Sequence, residues 1–154
     1  MLRAGFRGIR PMGNAILRFV LGVIAGTVVM FVVIMLIEFL GHQVWPPPSG
    51  LDPRNTLDMA TLLATAPIGA LASVVVAWVA GAFSGGAVAA WISRRWPRSA
   101  AIVVACCVLL GVVGMILMMP GHPTWMAALG VLLPVPAALL GAWFARPRRA
   151  LPSP

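Results

Sequence analysis

Apolar positions along this chain come in four long blocks rather than in short alternating runs. Phe19–Ile37 is nineteen residues without a charge, enough to cross a hydrocarbon core of about 30 Å at ~1.5 Å per residue. The block around it runs from about 15 to 40, and three more cover about 67–92, 100–119 and 125–145. Each is long enough for one transmembrane helix, allowing for fraying and tilt. The pattern predicts an all-α, four-transmembrane-helix bundle forming a single membrane domain over 1–154. The polar connections 93–98 and 120–124 are tight, so helices two and three, and three and four, are expected to be antiparallel neighbours.

The connection at 41–66 is the one with room for structure. Pro46-Pro47-Pro48 offers no backbone donors and should lead the chain stiffly away from the first helix. Asp52-Pro53 reads as an N-cap followed by proline at the first helical position. A short interfacial helix is therefore expected over about 53–65, separated from the second span by Pro67.

The charges give an orientation. Arg3, Arg7, Arg10 and Arg18 precede the first block, Arg94, Arg95 and Arg98 lie between the second and third, and Arg146, Arg148 and Arg149 follow in a basic tail, 146–154. In a four-span topology these share one side, leaving only Arg54 opposite. Positive residues accumulate on the cytoplasmic side, so both termini are expected there. Glu38, Asp52 and Asp58 fall outside. Trp45 and Trp125 mark the outer interface and Trp91, Trp96 and Trp143 the inner one, while Trp78 is deep. The long first block and its lack of a small-x-small cleavage motif argue for a retained anchor helix over a signal peptide.

Composition narrows the class. The chain is 61% apolar and 9% charged, against the ~25% charge usual in soluble domains. Its net charge of +8 would point to nucleic acid in a soluble protein, but the membrane topology accounts for it and no nucleic-acid partner is expected. All basic residues are arginine and tyrosine is absent, which suits a GC-rich bacterial source and an inner-membrane location. Cys106 and Cys107 are adjacent, so as helix neighbours they point apart and cannot form an ordinary disulfide. They read as small packing residues.

Small residues predict where helices meet. Ala77, Gly81, Gly85 and Ala89 recur every fourth position in the second span, and Gly22 and Gly26 do so in the first. Such stripes let two backbones approach closely. The run Gly81-Ala-Phe-Ser84-Gly85-Gly86 is not a phosphate loop, since it follows no strand and lies at membrane depth.

Candidate chemistry gathers at the outer face. Glu38 and His42 are spaced i,i+4 and share a helix face, with Glu38 in the last turn, where the helix dipole disfavours an acid. His122 lies on the same side, before the fourth span. The three form a possible outer-face polar site for protons, a metal or a small ligand, because ionisable groups near the membrane interior are commonly functional. The plainer reading is an interfacial acid with two turn histidines. Three ligands could make an open zinc site, but no Cys or further carboxylate accompanies them, so no metal or cofactor is expected. Ser84 lies deep with both histidines at the far face, and no catalytic constellation is visible.

Glu38-x-x-x-His42-x-x-Trp45-Pro-Pro-Pro, Gly50-Leu-Asp52, Gly81-Ala-Phe-Ser-Gly85-Gly86 and His122-Pro-Thr-Trp125 together resemble a group of small bacterial four-span membrane proteins with no assigned function. The resemblance implies a fold and no activity. In size the chain is also similar to small multidrug exporters, yet those carry their key acid at the centre of the first span, whereas Glu38 is at its outer end. The leading expectation is a non-enzymatic bundle, resident in the lipid bilayer, whose tight glycine faces, Gly81 and Gly85 among them, associate with copies of itself as a homo-oligomer or with a larger membrane complex. The alternative is a small proton- or metal-coupled transporter using Glu38, His42 and His122.

Overall fold

Lipid offers the backbone no hydrogen-bonding partners, so an apolar chain of this kind satisfies its peptide groups within helices. The computed structural model, which describes residues 12–46, 48, 50, 55–118, 121 and 123–145, is helical with no strand among those residues. In chain order the helices are α1 Met12–Val44, α2 Thr56–Thr65, α3 Ile68–Ile92, α4 Pro97–Met118, α5 Thr124–Leu132 and α6 Pro134–Phe144. Four spans are long and apolar enough to cross a membrane: α1, α3, α4, and α5 with α6 taken together over Thr124–Phe144.

The boundaries differ from the sequence reading where local chemistry outweighs hydropathy. α1 covers Met12–Val44 rather than about 15–40. Hydropathy fades at the polar ends, but backbone bonding continues to Trp45, whose N–H reaches the Gly41 carbonyl at 2.8 Å. Pro46, lacking an N–H, cannot extend the series. α2 starts at Thr56 instead of 53, capped by Asn55, whose side chain accepts from the Leu57 N–H at 3.1 Å. The expected cap at Asp52-Pro53 lies outside the described residues, as does the basic tail 146–154.

The fourth span, expected to be continuous over 125–145, is interrupted at Leu133–Pro134. Pro134 and Pro136 have no N–H to give, so the carbonyls of Gly130 and Leu132 lose their helical donors. Leu133 nonetheless keeps helical torsions (φ −85°, ψ −31°), and the Ala137 N–H reaches its carbonyl at 3.0 Å. The two halves thus continue in roughly one direction.

α3 is the hub. It touches α1, α4, α5 and α6, whereas α1 meets only α3 and α4 among the described elements. The best-buried helix is the one richest in small residues, which lowers its mean hydropathy to 1.8 against 3.0 for α1. This composition follows from the solvent. Lipid attracts the large side chains as well as the core does, so small residues are the ones reserved for helix contacts. α3 buries Ala77, Gly81, Ala82, Gly85, Gly86, Ala89 and Ala90. α1 buries only Gly22, Gly26 and Met30 and turns Ile24, Val28, Phe31, Met35 and Phe39 outward.

The α1–α3 seam is antiparallel and uses the predicted stripes within the chain itself. A Cβ on Gly26 would lie 2.6 Å from the Gly85 carbonyl, and one on Gly85 would lie 2.6 Å from the Gly26 carbonyl. Gly22 faces the Ala89 carbonyl, Gly81 faces Ile34, Gly41 faces Ser73 and Gly69 faces Trp45. On its other side α3 meets α6, where Gly86 abuts Ala138 and Gly141 abuts the Phe83 carbonyl. Trp78, 7% exposed, lays its ring over Gly130 and so fills the space beneath the break in the fourth span.

Candidate functional site

The two ends of the bundle carry different chemistry. Arg18 and Glu38 lie about 30 Å apart along α1 at ~1.5 Å per residue, close to the thickness of a hydrocarbon core. Glu38 is half-buried. Its helical position lies between Ile34 and Gly41, both of which touch α3 through Gly81 and Ser73. It therefore borders the tight seam instead of facing outward.

His42 is exposed, and its Nδ1 lies 2.7 Å from the Glu38 backbone carbonyl. A carbonyl can only accept, so Nδ1 carries the proton and Nε2 is left as an acceptor or ligand atom. The i,i+4 spacing thus joins the imidazole to the backbone one turn back, and because α1 runs on to Val44, Glu38 stands before the last turn rather than in it as the sequence suggested. The nearest hydroxyl on α3, Ser73, donates from Oγ to the Ala70 carbonyl at 2.7 Å. His122 lies outside the described residues, so the structure brings together only the Glu38–His42 part of the expected site. Among the described residues no group of three or more His, Cys, Asp and Glu gathers closely enough to hold a metal ion.

Ser84, the deep hydroxyl, donates to the Ala80 carbonyl at 2.7 Å. Such back-bonding ties a serine to its own helix. Cys106 is exposed and Cys107 half-exposed, both as free thiols.

The opposite end holds features that periodicity did not single out. α3 ends at Ser93, whose N–H reaches the Ala89 carbonyl at 2.9 Å and whose side chain is 1% exposed. Its Oγ is buried with no hydrogen-bond partner among the described residues, and Cβ lies 3.3 Å from the position a Cβ on Gly22 would take. Phe19 and Trp96 meet edge to face at 6.2 Å, and the Arg95 guanidinium sits 5.1 Å from the centre of the Trp96 ring. The Phe19–Trp96 contact holds the α3–α4 turn against α1. Beside it opens a groove of about 560 Å³ lined by Asn14, Leu17, Arg18, Leu21, Arg94 and Arg95, with Ala15 at its edge. Asn14, Arg18 and Leu21 fall at i, i+4 and i+7, a pattern legible in the sequence once the turn carrying Arg94 and Arg95 is known to fold back beside α1.

Comparison with family models, with curated proteins and with solved structures finds no match, so the residues themselves carry the functional argument.

Proposed function

We propose that the protein is a non-enzymatic integral membrane bundle that associates through the outward face of α4, with a second copy or with a larger membrane complex. Its arginine-bearing ends face the cytoplasm of a bacterial cell and α2 lies at the outer interface. The observation that carries this reading is the fate of the glycines. Those of α3 are consumed inside the chain, but a Cβ on Gly111 or Gly114 would meet none of the described residues within 4 Å. A glycine inside a helix costs roughly 0.5–1 kcal/mol relative to alanine, and close approach of another backbone is what such a residue provides. Cys107, Gly111 and Gly114 fall at i, i+4 and i+7 and so share one stripe of α4, with Val103 a turn before them, the interval at which helix faces meet.

Cys107 supplies a native reporter. In a Cys106→Ser background, mild oxidation in lipid should give either a Cys107-linked dimer or, in native membranes, a Cys107-dependent adduct with a host membrane protein. Gly111→Leu should abolish that product while leaving the monomer folded. A chain that stays monomeric and unlinked in both settings sinks the reading.

A second reading is a proton- or metal-coupled carrier, favoured by Glu38 bordering the α1–α3 seam and by the open Nε2 of His42. Flux into liposomes lost on Glu38→Gln would support it, and flux unchanged by that substitution would remove it.

A further inference from the structure

The basic groove at the Ser93 end is not used by the association surface, and its chemistry is specific. Three arginines and an asparagine converge on it, and Arg18, Arg94 and Arg95 form no ion pair among the described residues. The chain has only three acids: Glu38 and Asp58 lie at the other end of α1 and α3, and Asp52 belongs to the connection between them. Among the described residues no carboxylate is therefore placed to neutralise the groove. Clustered like charge of this kind disfavours the compact state unless an anion enters.

The groove has two kinds of wall. Leu17 and Leu21 continue the apolar surface of α1, while Asn14, Arg18, Arg94 and Arg95 are polar. Guanidinium groups present paired donors that match phosphate oxygens. Arg18 sits about one hydrocarbon thickness from Glu38 along α1, which places the arginines at headgroup level if the bundle spans a bilayer. Basic pockets between helices at that level suit lipid headgroups.

We infer that this groove is a binding site for the phosphate of an anionic membrane lipid, with Arg18, Arg94 and Arg95 holding the headgroup, Asn14 adding a neutral donor, and Leu17 and Leu21 taking the upper acyl chain. The inference rests on the membrane reading. A soluble phosphate has the same anionic oxygens but would leave the leucine wall unused.

The test is retention of phosphatidylglycerol by the full chain released from phosphatidylcholine bilayers doped with it, read by native mass spectrometry. Phosphatidylglycerol should be retained about tenfold or more over phosphatidylcholine, and a variant carrying Arg18→Gln, Arg94→Gln and Arg95→Gln should lose that preference. Arg98→Gln, which removes a charge just outside the groove, should keep it. Ala15→Trp, which narrows the groove without changing charge, should weaken retention, and it covers the case in which the triple variant fails to insert. Equal retention of both lipids by the wild-type chain overturns the proposal, as does an equal loss in Arg98→Gln. Stabilisation by inorganic phosphate in detergent matching that by phosphatidylglycerol overturns the lipid assignment. Failure of the wild-type chain to resist alkaline extraction from membranes would instead defeat the membrane reading itself.

Discussion

α3 and α4 are adjacent apolar helices, both interrupted by glycines, and they use those glycines in opposite ways. Gly81, Gly85 and Gly86 of α3 are buried against the backbones and side chains of α1 and α6. Gly111 of α4 is exposed and Gly114 half-exposed, with open space where a methyl group would stand. A small residue in a membrane helix therefore announces that a close approach is possible without naming the partner. On α3 the partner is the chain itself. On α4 we assign it to another molecule.

Substitutions grade this contrast. Gly85→Leu should be the most damaging, because its side chain would enter the Gly26 carbonyl, Met30 and Val104 together; a loss of about 3 kcal/mol or more, with failure to recover folded protein, is the expected result. Gly141→Ala comes next. One methyl group against the Phe83 carbonyl should cost about 1–3 kcal/mol in reversible unfolding from mixed micelles. Gly121→Ala separates a third use of glycine, since nothing crowds its Cβ position but its φ is +115°. Strain alone should then cost about 1–2 kcal/mol. Smallest and opposite in sign, Gly111→Ala should stabilise the isolated monomer by about 0.5–1 kcal/mol while weakening association. A monomer destabilised by Gly111→Ala as strongly as by Gly141→Ala would erase the distinction between the two helices.

Sequence patterning carried the secondary structure well, together with the neighbouring pairs that α4 makes with α3 and α6, and the α1–α3 and α3–α6 contacts poorly. Hydropathy located the spans because a helix needs that many apolar residues to cross a bilayer. It could not show that α3, with its lower hydropathy, would become the hub, because packing against neighbours and facing lipid call for different residues. The stripe at Ala77, Gly81, Gly85 and Ala89 was visible, whereas its match to Gly22 and Gly26 needed the register of two antiparallel helices. The break at Leu133–Pro134 was written in Pro134 and Pro136, but an apolar run read by hydropathy alone passes through proline unmarked.

The candidate site was legible to a similar degree. The i,i+4 spacing placed His42 one turn beyond Glu38, and the structure adds that the ring bonds the backbone carbonyl there. The arginines at the Ser93 end read, in the sequence, only as a statement of orientation, because charge counting has no depth. Their gathering beside Asn14 depends on the α3–α4 turn folding back, with Phe19 meeting Trp96 and Ser93 settling against Gly22.

The interruption in the fourth span carries a mechanical consequence. α6 is riveted to α3 through Gly86 and Gly141, while α5 rests against α3 and α4 mainly through Gly130 beneath the Trp78 ring and through Met126. With two donors missing between them, the joint is the weakest point of the fourth span's hydrogen-bond ladder, and the half bearing Trp125 is held in line by side-chain packing where its partner is held by backbone contact.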